Sequence, residues 1–86
     1  MGRDKPPIRN RIRELRLRHG DLTQQQLAER VGVSRQTLLA IETNKYSPSL
    51  LVAFRIAHEF GVRLDDVFQY EPSREGDGEQ TDRASP

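Results

Sequence analysis

The sequence predicts an all-α domain of five short helices. Apolar residues recur at helical spacing in one segment after another. A capping residue or a turn signal stands at nearly every segment boundary. Neither the apolar-polar alternation of a half-buried strand nor an internal repeat occurs. At 86 residues the chain is one domain with a small core, so good caps and tight turns, or a partner chain, must support it.

Residues 1 to 7 hold Pro6-Pro7 and no periodic pattern, and read as a flexible arm. Ile8, Ile12 and Leu15 follow at i, i+4 and i+7, the stripe of an amphipathic helix that His19-Gly20-Asp21 ends. Thr23-Gln24-Gln25-Gln26 is a capping box, with Leu22 and Leu27 as its hydrophobic staple, and opens a second helix. Leu27, Ala28 and Val31 face inward there, and Gly32 stops the helix.

Ser34 caps the third helix, whose buried stripe is Leu38 and Ile41 with Thr37 beside them. Thr43-Asn44-Lys45 ends it, Asn44 tolerating a left-handed backbone. Ser47-Pro48 is expected to open the fourth helix as cap and first residue. Leu50, Ala53, Phe54, Ala57 and Phe60 form its apolar face, and Gly61 stops it. Val62 to Phe68 is long enough for a fifth helix, with Asp65 and Asp66 in the turn where the helix dipole favours carboxylates. From Glu71 on no large apolar residue remains, and an acidic disordered tail over 71–86 is expected after a domain at 8–70.

Charge is uneven. Residues 1–70 carry 12 Lys/Arg against 8 Asp/Glu, a net of +4, and residues 71–86 carry 2 against 5, a net of −3. A basic folded part suits a polyanion, although a solvated Arg-rich helix face explains it as well. The chain contains no Cys, which removes disulfides and thiolate metal sites. No apolar run approaches membrane-spanning length, and no apolar stretch follows the N-terminus as in a signal peptide. A cytoplasmic protein is the expectation.

The link between the second and third helices, Gly32-Val33-Ser34, is too short for antiparallel packing. The third helix must therefore cross the second steeply, in helix-turn-helix geometry. In that arrangement the third helix enters the DNA major groove. Its outward face holds Arg35, Gln36 and Leu39, flanked by Ala40 and Thr43. Arg35 can bond guanine and Gln36 adenine in bidentate fashion. Leu39 could meet a thymine methyl, or serve as spare core or dimer surface. Arg9, Asn10 and Arg16 could reach phosphates, or be an ordinary solvated face.

The segment LTQQQLAERVGVSRQTLLAIETNKYSPSLLVAFRIAHEFGVRLDDVF resembles the phage-repressor and Cro type of helix-turn-helix, the Xre family of bacterial regulators. The resemblance extends over about residues 8 to 70. It implies a five-helix phage-repressor-like DNA-binding domain that reads DNA with its second and third helices. It also implies backbone contacts from Gln24 and from the Lys45-Tyr46-Ser47 loop, and a structural role for Glu42. Two positions depart from the family pattern. Arg63 stands where a capping Ser is usual, and Asp21 puts negative charge where DNA backbone would pass.

Nothing points to an enzyme. His19 and His58 lack metal-ligand spacing, Ser34 and Ser47 read as caps, and no phosphate-binding glycine loop occurs. The expectation is a sequence-specific regulator of transcription, a repressor without cofactor. It would bind a palindromic operator as a homodimer, because one recognition helix covers only a few base pairs. Val62, Leu64, Val67, Phe68 and Tyr70 are candidates for either dimer interface or core. The rivals are an antitoxin that also binds a partner toxin, and a helical adaptor that has lost DNA binding. The short tail without apolar anchors argues against the first, and Arg35, Gln36, Gln24 and Lys45 against the second.

Overall fold

The computed structural model describes residues 7–72. The elements run β1 (Ile8–Asn10), α1 (Ile12–Arg18), α2 (Gln24–Val31), α3 (Arg35–Glu42), α4 (Leu50–Phe60), α5 (Leu64–Val67) and β2 (Phe68–Tyr70). Of the expected arm over residues 1–7 and the expected tail over 71–86, residues 1–6 and 73–86 lie outside the described residues.

The five expected helices are present, with α2 packed on both α3 and α4, and α4 on α5. Their side chains meet in one core, in which Ile12, Leu27, Leu38, Ile56 and Val67 are fully enclosed. The local signals act as the sequence implies. The Thr23 hydroxyl accepts from the Gln26 amide at 3.0 Å, and the Gln26 side-chain oxygen accepts from the Thr23 amide at 2.9 Å. The Ser34 hydroxyl accepts from the Thr37 amide at 3.0 Å.

The chain departs from the sequence reading at its two ends. Ile8 is in a strand, not at the start of α1. β1 pairs antiparallel with β2, Ile8 opposite Tyr70 and Asn10 opposite Phe68. Flanking bonds lengthen this clasp: Arg11 N donates to Val67 O at 2.9 Å and Glu71 N to Pro7 O at 2.7 Å. Helix α1 begins only after the Asn10 side-chain oxygen accepts from the Ile12 amide at 3.1 Å. Likewise α5 stops at Val67, because Phe68 to Tyr70 are taken up by the clasp.

Two further expectations are corrected, on the cap and on the buried face of α4. Ser49, not Ser47, caps α4: its hydroxyl accepts from the Val52 amide at 3.2 Å, and Pro48 lies before the helix. The buried face of α4 is Ala53, Ile56, Ala57 and Phe60, whereas Leu50 and Phe54 are exposed. Arg63 is the cap residue of α5 and offers no side-chain acceptor; the Asp66 carboxylate takes the Arg63 amide at 3.0 Å instead.

Candidate nucleic-acid interface

The turn between α2 and α3 is made by a single left-handed residue. Gly32 has φ 81°, and its N–H closes α2 on Ala28 O at 2.9 Å. A side chain there would be strained, and a Cβ would stand 3.0 Å from Arg55 Nη1. Val33 and Ser34 then turn the chain directly into α3.

With Leu38 and Ile41 in the core, α3 turns Arg35, Gln36, Leu39 and Thr43 to solvent, and Ala40 is half-buried. Lys45, Tyr46 and Ser47 are exposed in the loop that follows. The backbone bends there at Asn44, φ 64°, so that Lys45 N donates to Ala40 O at 2.9 Å and Asn44 N to Ile41 O at 3.0 Å. The expected base-contact residues, Ala40 apart, and the loop residues are thus each open to solvent. No bonds involving the Arg35 or Gln36 side chains form within the described residues.

Behind that surface lies a buried polar hub. Glu42 accepts from Arg16 Nε at 2.7 Å, from Arg16 Nη2 at 3.1 Å and from Gln24 Nε2 at 3.2 Å. Arg16 Nη1 also donates to Leu22 O at 3.0 Å. The paired side chains are only 10% and 6% exposed, so Arg16 is no free phosphate ligand, contrary to the sequence expectation. It fixes the end of α3 and the start of α2 to α1. Gln24 sits at the rim of the hub, half-buried, braced by Glu42.

Asn10 is likewise committed inside the molecule. Its Nδ2 donates to Ile41 O at 2.9 Å and to Glu42 O at 3.4 Å, while its oxygen caps α1. Arg9 is exposed and pairs with Glu71 at 3.2 Å, a contact that water and salt weaken. Of the dimer candidates, Val67 is entirely buried and belongs to the core. Val62, Leu64 and Phe68 are half-buried, and Tyr70 is 70% exposed.

The hub had a sequence signal. Arg16 follows Leu15 and stands i+4 from Ile12, and Glu42 follows Ile41 and stands i+4 from Leu38. Opposite charges at core-facing positions of two helices imply a buried pair. Asn10 had no comparable signal, since its role depends on a strand pairing across 60 residues of chain (Asn10 with Phe68 is the nearest pair). Among the described residues no cluster of metal-ligating side chains occurs, and no helix is long and apolar enough to cross a membrane.

Known proteins share this arrangement. The family model described as "Helix-turn-helix" matches residues 12–67. The chain is 52% identical over 64 residues to an uncharacterized HTH-type transcriptional regulator of Methanocaldococcus jannaschii, covering 74% of this chain and 96% of that one. It is 47% identical over 64 residues to another such regulator from Bacillus subtilis, with the same coverage of 74% and 96%. A Bacteroides fragilis protein, provisionally described as DNA-binding, superposes with a TM-score of 0.62 at 29% identity, covering 72% of this chain and 98% of that one. The relatives come from archaea as well as bacteria, a wider range than the resemblance to bacterial regulators implied. By sequence and by fold alike, the chain belongs to the helix-turn-helix family, in its Xre-like branch.

Proposed function

We propose that the protein is a sequence-specific DNA-binding regulator of transcription, a repressor that occupies its operator as a homodimer. One observation carries the reading: α3 exposes Arg35, Gln36 and Leu39 with the two polar side chains uncommitted, while its opposite side is fixed by the core and the Glu42 hub. A rigid helix with a free, donor-rich face suits base reading, because its backbone need not be ordered on binding. In this reading Arg35 and Gln36 take base edges, and Leu39, Ala40 and Thr43 add groove contacts. Gln24, Lys45, Tyr46, Ser47 and Arg9 hold the sugar-phosphate backbone.

The dimer reading rests on an apolar face far larger than the sequence suggested. Leu50, Phe54 and Tyr70 are 68%, 51% and 70% exposed, and they border Ile8, Leu64 and Phe68 around a shallow groove. On its rim Arg63 and Asp65 lie side by side, 3.3 Å apart. A two-fold axis through the groove would let each copy's Arg63 meet the other's Asp65, the self-complementarity that an isologous contact requires. Relatives described as transcriptional regulators support the biological role.

Selection of duplexes from a random pool, followed by gel-shift titration, tests both parts. The expected product is a palindrome whose half-sites lie about 10 base pairs, one helical turn, apart. An enriched site without two-fold symmetry would overturn the dimer. Failure to enrich any sequence would overturn DNA reading.

A further inference from the structure

We propose that Asn10 is a positioning residue that couples the terminal clasp to the recognition helix. The inference rests on the DNA-binding reading above and concerns how the same surface is held. α3 ends in carbonyls that its own helix cannot satisfy. Leu39 O takes the Thr43 amide, Ala40 O the Lys45 amide and Ile41 O the Asn44 amide. Glu42 O has one partner among the described residues, the side chain of Asn10, which also reaches Ile41 O.

The last turn of α3 is therefore held twice. Arg16 holds the Glu42 carboxylate from α1, and Asn10 holds the main chain from β1. Leu38 and Ile41 already set the buried face of α3, and two polar holds from different directions narrow the rotation that remains about its axis. That rotation decides which edges Arg35 and Gln36 face.

The second hold depends on the chain's far end. β1 stays in place because β2 pairs with it, and β2 carries Phe68 and Tyr70 on the apolar face assigned to the dimer. A two-stranded ribbon is marginal by itself. A second copy resting on Phe68 and Tyr70 would steady β2, then β1, then Asn10 and α3. Dimerisation would raise base selectivity within each subunit, besides adding a second half-site.

Asn10→Asp removes the tie and sets a carboxylate against the two carbonyls that the amide held. The carboxylate still accepts from the Ile12 amide and suits the start of a helix, so the α1 cap survives. It cannot donate to Ile41 O or Glu42 O. The full-length variant is titrated well below its melting temperature, by fluorescence anisotropy. One duplex is the site most enriched by the wild-type chain, the other a scramble of equal composition. The expected result is roughly tenfold weaker binding to the enriched duplex with nearly unchanged binding to the scramble, the loss of about one good base contact.

Retained selectivity would overturn the proposal and leave Asn10 as a cap of α1. An equal fall on both duplexes with a shallower salt dependence would also overturn it, since that marks a phosphate contact. Amide NMR of the free variant reads the tie without DNA. Wild-type shifts from Arg35 to Thr43 sink the proposal even where a failure to enrich any duplex has already sunk the regulator reading. Asn10→Ser, which keeps a hydroxyl acceptor near the Ile12 amide and adds no charge, is titrated beside it: lost selectivity in both variants is expected, and a loss seen with Asp alone would mark charge repulsion and overturn the proposal.

Discussion

The two ends of α3 are built on opposite plans. Its first turn is capped by the Ser34 hydroxyl, and Arg35 and Gln36 extend from it into solvent. Its last turn is gripped by Arg16, Gln24 and Asn10, with nearly every polar group engaged. The difference separates two tasks along eight residues. The free end can meet a partner's hydrogen-bonding groups, since its own are unspent. The held end sets the direction in which the free end points. Changes at the held end should cost stability first, and changes at the free end should cost recognition alone.

The largest effect is expected from Glu42→Ala. It leaves the Arg16 guanidinium buried without its counter-charge and frees Gln24. Removing one partner of a buried ion pair costs about 3–5 kcal/mol. For a domain this small, that is most of a total on the order of 5 kcal/mol. Urea denaturation followed by circular dichroism should find the variant largely unfolded. Arg16→Met combined with Glu42→Leu should recover most of the stability, because no charge stays buried, yet Gln24 remains unbraced and DNA binding stays weak. A loss below about 1 kcal/mol for Glu42→Ala, the range of exposed pairs, would mean that the grip is slack.

A smaller effect is expected just before α3, at the turn that sets the crossing of α2 and α3. Gly32→Ala forces a side chain into left-handed backbone, which costs about 1–2 kcal/mol. Its Cβ also presses on Arg55 Nη1, which bonds Val31 O at 3.3 Å. Gly20 has a similar φ of 78°, but a Cβ there meets nothing within 4 Å. Denaturation midpoints of the two alanine variants should therefore separate the backbone strain from the Arg55 contact. Equal losses would show that Arg55 simply moves aside.

What the sequence made legible follows the same division. Thr23, Gly32 and Ser34 act on neighbours within three or four residues, so their pattern alone set the helix-turn-helix. Ser47 looks like the cap because Pro48 follows it, and only the backbone of the Tyr46 to Ser49 loop gives that place to Ser49. The clasp was illegible because three-residue strands have no readable period, and because their partners lie at opposite ends of the chain. The free face of α3 was legible for the converse reason. Once Leu38 and Ile41 are assigned inward, geometry leaves Arg35, Gln36 and Leu39 nowhere but outward.

Arg35→Ala is the opposite extreme to Glu42→Ala. Arg35 is exposed and makes no bond within the described residues, so its loss should change stability by less than about 0.5 kcal/mol. Its effect should appear only when the duplex selection is repeated with the variant. Preference should relax at one or two base pairs in each half-site, by about 1–3 kcal/mol, while affinity for a scrambled duplex hardly changes. Uniform weakening across all sequences, with a salt slope reduced by about one, would reassign Arg35 to the phosphates. The base-reading role would then pass to Gln36 and Leu39, and the free end of α3 would be a shorter reader than its exposed length suggests.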